Sequence, residues 1–149
     1  MEKLDLKRTD GSGVWETCGD MPLNFQPMAL AGSQKGIWAF GSMPDKKFGL
    51  ARFGEMAATS NESRGLPAGF LFKAFSLSGD SFYLVGAIEL KRGEETIGFK
   101  KVMFESRNQG GSWTNLELPI NGSLEAYDFG PDGRVWAVAA GNRIQVLMR

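Results

Sequence analysis

The chain has 149 residues, of which 42% are hydrophobic, enough for one domain whose core needs no disulfide. Its 17 Lys and Arg residues balance 17 Asp and Glu residues. This balance argues against a nucleic-acid partner, because phosphate binding needs a surplus of basic side chains. The absence of His excludes Ser-His and Cys-His catalysis and most zinc sites, and we predict no cofactor and no metal.

The N-terminal segment has charged residues where a secretory signal has its apolar core, and no apolar run approaches the ~18 residues of a membrane span. The single cysteine, Cys18, has no partner for an internal disulfide, and the nearby Glu16 and Asp20 do not favour a thiolate. We therefore expect a cytoplasmic protein with no membrane contact, in which Cys18 is an inert strand residue.

Glycine accounts for 20 residues and separates short apolar runs that are rich in aromatic and β-branched side chains. This pattern predicts antiparallel β-sheet throughout, with residues 54–63 forming at most one helical turn or a loop. In chain order, the predicted strands are residues 14–18, 25–31, 37–41, 48–53, a degraded strand within 62–67, then 70–77, 82–90, 99–105, 112–118, 124–129, 135–139 and 143–148. Residues 91–96 are predicted to form a polar hairpin tip.

The four tryptophans reveal an internal repeat. Trp15 and Trp38 are 23 residues apart, as are Trp113 and Trp136, and the two pairs are offset by 98 residues. Tyr83 supplies a copy between the pairs, 45 residues after Trp38 and 53 before Trp136. Four-stranded propeller blades have repeats of ~40–50 residues. The sequence thus predicts an all-β, propeller-like fold of about three blades.

The number of blades leaves two arrangements open. We expect a single domain over residues 1–149, with units at about 19–67, 68–118 and 119–149, the last completed by residues 1–18. Closed propellers begin at four blades. The chain therefore forms either an open, sandwich-like stack or half of a six-bladed ring that a homodimer completes, because unpaired strand edges favour association.

One segment resembles a known motif. Residues 106–113, SRNQGGSW, resemble the Asp-box S-x-D-x-G-x-x-W of the bacterial neuraminidase repeat in sialidase-like β-propellers, with Ser106, Gly110 and Trp113 matching and Asn108 in place of Asp. An earlier partial copy retains Asp10 and Trp15. The resemblance implies a structural role, in which Gly and a short polar side chain form the hairpin and a buried Trp fills the gap between blades.

The same resemblance raises the question of sialidase activity. Those enzymes use an arginine triad, a Tyr–Glu nucleophile pair and an acidic proton donor. Glu125 and Tyr127 could share one face of an inner strand, but their matching positions in the other units are Pro27/Ala29 and Phe72/Ala74, and the inner strands contain no Arg. We therefore predict no catalysis, and expect Glu125 and Tyr127 to be a polar pair that faces the channel.

Two functional hypotheses are consistent with this sequence. The first is a non-enzymatic protein-binding module, in one specific form a bacterial immunity protein that neutralises a toxin by stoichiometric binding, by analogy of size and chemical character. Its contacts are predicted at charged loops, with candidates Lys46, Lys47, Arg92, Glu94 and Glu95. The alternative, suggested by the Asp-box, is a carbohydrate-binding or glycosidase-like domain, which requires exposed aromatic residues along a concave channel.

The secondary structure can be tested directly. Since no segment has helical periodicity of useful length, far-UV circular dichroism should show β-structure with helix below roughly 10%. A helix content near one third would contradict the repeat assignment.

Overall fold

A computed structural model describes residues 5–33, 36–53, 59–116, 124–130, 134–139 and 143–147. Thirteen strands form there, all paired antiparallel within their sheets, and the helical structure in these ranges is one 3-10 turn, Pro44–Lys46. The prediction of an all-β, antiparallel fold is confirmed. Over the same ranges, no helix is long and apolar enough to span a membrane.

The chain divides into two compact units, Met1–Ser63 and Arg64–Arg149. In the first unit, a two-stranded sheet pairs β1 with β2, and a four-stranded sheet has the order β3-β4-β5-β6. Its strands are β1 Asp5–Arg8, β2 Glu16–Asp20, β3 Gln26–Ser33, β4 Gly36–Met43, β5 Lys47–Phe53 and β6 Thr59–Glu62. Phe25, Ala39 and Ala51 form its buried core, because the central strands turn apolar side chains to one face.

The second unit contains a four-stranded sheet of order β7-β8-β9-β10 and a three-stranded sheet of order β11-β12-β13. Its strands are β7 Phe70–Ser78, β8 Ser81–Arg92, β9 Glu95–Ser106, β10 Thr114–Asn115, β11 Leu124–Phe129, β12 Val135–Ala139 and β13 Arg143–Leu147. An apolar layer joins the two sheets. Tyr83, 0% exposed, stacks on Phe129 with ring centroids 4.8 Å apart, and Val85 and Met103 pack with Val135 in the same layer.

The first three strands of each predicted unit are found where the sequence places them, in the predicted antiparallel order. The outer strands differ. Of the predicted strand 112–118, β10 covers Thr114–Asn115, and residues 117–118 lie outside the described ranges. β6 shares only Glu62 with the predicted segment 62–67, because Gly65 adopts a positive φ of 90° and Pro67 cannot donate to a ladder. β2 pairs with β1; the completion of the last unit by residues 1–18 stays a prediction. Residues 54–58, within the predicted turn or loop, lie outside the described ranges.

A one-residue bulge recurs in the inner strand of each of the three predicted repeat units. The register shifts between Pro27 and Ala29 in β3, between Phe72 and Ala74 in β7, and between Leu124 and Ala126 in β11. Each bulge lies at the same place relative to the neighbouring strand. The repeat that the tryptophans indicate is therefore also present in the backbone, because bulges are specific features that local sequence and packing maintain.

Two of these bulges face a glycine that has no room for a side chain. A Cβ at Gly86 would overlap the carbonyl oxygen of Leu71 and lie 2.6 Å from the ring of Phe70. A Cβ at Gly41 would likewise overlap the carbonyl oxygen of Gln26. These glycines serve close backbone approach rather than a special φ, since neither has a positive φ.

We expect Gly86→Ala to lower the free energy of unfolding by about 1–3 kcal/mol, because the methyl group forces the bulged strand and Phe70 to move. The matched control is Gly32→Ala in β3, where the nearest atom to an added Cβ lies at 3.7 Å. Denaturant unfolding followed by circular dichroism measures both. Equal stability of the two variants would contradict the close approach at Gly86.

Candidate functional site

The hairpin at residues 106–113, which resembles the Asp-box, is held by its own side chains. Ser106 Oγ accepts a hydrogen bond from the N–H of Gly110 at 2.8 Å and donates one to Asn108 Oδ1 at 2.8 Å. Asn108 Oδ1 also accepts from the N–H of Ser112 at 2.9 Å. Gln109 and Gly110 have φ values of 57° and 84°. Asn108 thus supplies the acceptor that Asp supplies in the motif, and these residues stabilise the turn.

Trp113 ends this hairpin and is buried, with 4% of its surface exposed. Its backbone N–H donates to the carbonyl oxygen of Arg64 at 2.9 Å, next to an isolated parallel bridge between Arg64 and Ser112. The hairpin is therefore fixed to the segment that enters the second unit, and Trp113 has a packing role.

The first hairpin has similar turn chemistry but a different environment. Asp10 Oδ1 accepts from the N–H of Ser12 at 2.9 Å, and hydrogen bonds from the Ser12 side chain and backbone hold the pKa of Asp10 below its ordinary value. Trp15, however, is 64% exposed. The expectation that Trp15 is buried is wrong, because Trp15 lies before β2 in a sheet of only two strands, which is too narrow to cover an indole.

Tyr127 contributes to the apolar layer of the second unit. Its ring packs edge-on against Phe129, with centroids 5.7 Å apart, and burial raises the pKa of its hydroxyl. A raised pKa works against the phenolate that a nucleophilic tyrosine needs. The side chain of Glu125 lies outside what the structure describes.

The register of β11 also changes which residues of the other inner strands are equivalent to Glu125 and Tyr127. The bulge in β11 makes Glu125 equivalent to Lys73 and Met28, the bulge positions of the other inner strands. The matching of Glu125 with Phe72 and Pro27 is therefore displaced by one residue. The bulge also interrupts the strict alternation from which a shared face for Glu125 and Tyr127 was predicted.

The five candidate loop residues are exposed and belong to different units. Lys46 and Lys47 lie in the first unit, at the turn between β4 and β5, where Lys47 Nζ forms an ion pair with Glu62 Oε2 at 3.3 Å. Arg92, Glu94 and Glu95 lie in the second unit, at the tip of the hairpin between β8 and β9.

This hairpin continues beyond its sheet. The pairing of β7 with β8 ends at Ile88, whereas β8 and β9 remain paired to Arg92 and Glu95. We call residues 89–99 the arm. The predicted polar tip is present, but the arm also exposes 61% of Ile97 and 59% of Phe99. Sequence reasoning missed these two because the run Ile97–Gly98–Phe99 is typical of a buried strand.

Described residues of the first unit line two cavities. One, of about 350 Å³, is lined by Arg8, Thr9, Asp10, Ser12, Val14 and Glu16. Its Arg8 and Glu16 form an exposed ion pair at 3.4 Å, and the exposed Trp15 is not part of its lining. The other is a groove of about 320 Å³ lined mainly by apolar residues of β1 and β3. The described residues that line the first cavity thus include no aromatic side chain of the kind on which a sugar ring stacks.

Comparisons of the chain with protein-family models, with curated proteins and with solved structures give no match. The Asp-box resemblance therefore rests on the residues of the two hairpins alone, and geometry is the basis for any proposal about function.

The two Asp-box tryptophans should differ sharply in their energetic contribution. We expect Trp113→Ala to destabilise the chain by about 3–5 kcal/mol, the usual cost of deleting a large buried aromatic side chain. Trp15→Ala should change the unfolding free energy by only about 0.5 kcal/mol, because its ring is already hydrated. Thermal and denaturant unfolding by circular dichroism provide the comparison, and equal losses would show that Trp15 is covered in solution.

Proposed function

We propose that the chain is a non-enzymatic protein-binding module that acts by stoichiometric binding to another protein. The arm is the observation that supports this proposal most directly. It extends past its sheet as a two-stranded ribbon, with Ile97 and Phe99 exposed and with Arg92, Glu94 and Glu95 at its tip. Apolar anchors surrounded by a charged rim are the usual composition of a protein interface.

The charges of the arm favour selective contact. Glu89 pairs with Lys91, with Nζ and Oε2 3.6 Å apart, and accepts a hydrogen bond from Thr96 Oγ1 at 3.3 Å. These contacts order the middle of the arm. The tip residues Arg92 and Glu94 form no ion pair with another described side chain, so they can pair with charges on a partner and set specificity and association rate.

In its specific form, the proposal is a cytoplasmic immunity protein that blocks a bacterial toxin. A small chain with balanced charge can neutralise an enzyme by covering its active site, which requires a rigid surface and no chemistry of its own. The antiparallel sheets provide such rigidity. Tyr127 packs against Phe129, and burial raises the pKa of its hydroxyl, which works against its use as a nucleophile.

The proposed architecture is propeller-like. The bulge shared by the three inner strands supports the view that the sheets are copies of one blade. A blade repeat leaves the two predicted arrangements, an open stack or a six-bladed ring completed by a homodimer. Either arrangement displays the connecting loops as a binding surface.

A carbohydrate-binding or glycosidase-like function is the second candidate. One observation favours it, the exposed indole of Trp15 beside the Asp-box turn of Asp10. Stacking of a sugar ring on an exposed indole would use that surface.

The proposal predicts that a tagged chain co-purifies from its native host with one protein at fixed stoichiometry. Arg92→Glu and Lys46→Glu should each weaken that complex by at least about tenfold in calorimetry, because they place like charges at the interface rim. Lys73→Glu, an exposed reversal outside both loops, should leave the affinity unchanged, as should Tyr127→Phe. Silent loop reversals together with loss of sialoside turnover in Tyr127→Phe would instead indicate an enzyme.

A further inference from the structure

Among the described residues, no strand pairs with the outer edge of β9 over most of its length. β9 has twelve residues, but β10 pairs only with Phe104 and Glu105, and the N–H of Leu116 reaches the carbonyl oxygen of Met103. From Glu95 to Val102, no described strand lies on this edge. An open edge with unpaired backbone groups is a template for a further strand.

The charge pattern along this edge is complementary to itself in the antiparallel direction. Glu94 and Glu95 stand at one end, and Lys100 and Lys101 stand at the other. None of these four side chains forms an ion pair with another described residue. A second copy running antiparallel brings acidic residues opposite basic ones, whereas a parallel copy brings like charges together, which is destabilising.

The bulge in β9 makes this pairing possible on both faces. The register runs from Leu90 opposite Gly98 to Lys91 opposite Thr96, so Ile97 is the extra residue. As a result Thr96 and Phe99 lie on one face of β9. Glu95 and Lys100 lie on the other, since their partners in β8 are Arg92 and Ile88. Without the bulge, each of these pairs would be split between opposite faces.

We propose that two copies of the chain associate through β9, antiparallel about a two-fold axis at Gly98. Glu95 then lies opposite the partner's Lys100, and Thr96 lies opposite the partner's Phe99. Glu94 and Lys101 extend the same pairing. The contact is isologous and closed, because both copies use the same strand, and it covers the edge that each copy leaves open.

Gly98 supports the position of the axis. Its φ is not positive, and a Cβ placed there would meet no atom within 4 Å. Nothing in the described chain requires a glycine at this position, where β-formers are favoured. A glycine inside a strand often marks the close approach of another backbone. At the two-fold axis, Gly98 faces its own copy across the new strand pair.

The exposed side chains of the arm also favour a second copy of the chain as the partner. Ile97 and Phe99 flank Gly98 and are more than half exposed, and pairing along β9 removes apolar surface at its centre while the charges remain at its ends. The inference goes beyond the proposed function, since it needs only this chain. A second copy and another protein would therefore compete for Ile97 and Phe99, whereas Arg92 lies outside the paired segment.

Sedimentation velocity of the purified chain tests the inference. We expect a concentration-dependent dimer at low salt, with Glu95→Lys raising the dissociation constant by at least about tenfold. The double variant Glu95→Lys/Lys100→Glu should restore the dimer, because the opposite charges then face each other again. Arg92→Glu, a charge reversal on the same arm outside the paired segment, should leave the dimer intact.

Phe99→Pro supplies an independent test. The N–H of Phe99 faces the outer edge of β9, as the carbonyl oxygen of Met103 does four residues later in an unbroken register. Proline removes this N–H and is tolerated on an edge strand, so circular dichroism and thermal unfolding should show an intact fold while the dimer is lost. A wild-type chain that stays monomeric up to about 100 μM, or a dimer that resists Phe99→Pro and the single reversal, would overturn the proposal. Because Arg92→Glu affects only the other protein, failure of the dimer and failure of the proposed function give different results.

Discussion

The bulge in each inner strand is the constraint on which the register of the sheets depends. It displaces one residue in β3, β7 and β11 at equivalent places, so every residue before it faces differently from what simple alternation implies. In β3 and β7 a carbonyl oxygen next to the bulge lies against the neighbouring strand, and only glycine fits at Gly41 and Gly86. The repeat is thus preserved by backbone geometry and by the small residues that this geometry requires, while the outer strands vary.

The two hairpins that resemble the Asp-box show that similar turn chemistry occurs in two different environments. The turn chemistry is similar in both, since Asp10 and Asn108 each accept a hydrogen bond from the N–H of a following serine. Such bonds form within a few residues and need no help from the rest of the chain. The surroundings of the two tryptophans differ, because Trp113 joins a hairpin anchored to Arg64, whereas Trp15 precedes a two-stranded sheet. The motif therefore determines a turn, and its tryptophan is buried only where other strands supply a cover.

The arm combines the features that link fold to function. It is an extension of two core strands, so its base is rigid, yet beyond Ile88 β7 no longer pairs with it. Exposed apolar residues and unpaired charges are costly or neutral in an isolated chain and become useful at an interface. The two proposed contacts share Ile97 and Phe99, so self-association and the binding of another protein compete for the arm, whereas Arg92 serves only the second contact. Tyr127, by contrast, is part of the layer between two sheets, where its hydroxyl is harder to ionise.

The sequence by itself determined the all-β class, the order of the strands and the polar hairpin tip, because alternation, β-branched residues and glycine act over a few neighbours. It also indicated the short polar residues of the Asp-box turns for the same reason. Only the tertiary structure decided the one-residue bulges, which change which face Glu125 and Tyr127 could share, and the exposure of Trp15, Ile97 and Phe99. Burial depends on which distant strand lies alongside a residue, and the same local pattern of apolar side chains is compatible with a covered strand or with a free edge.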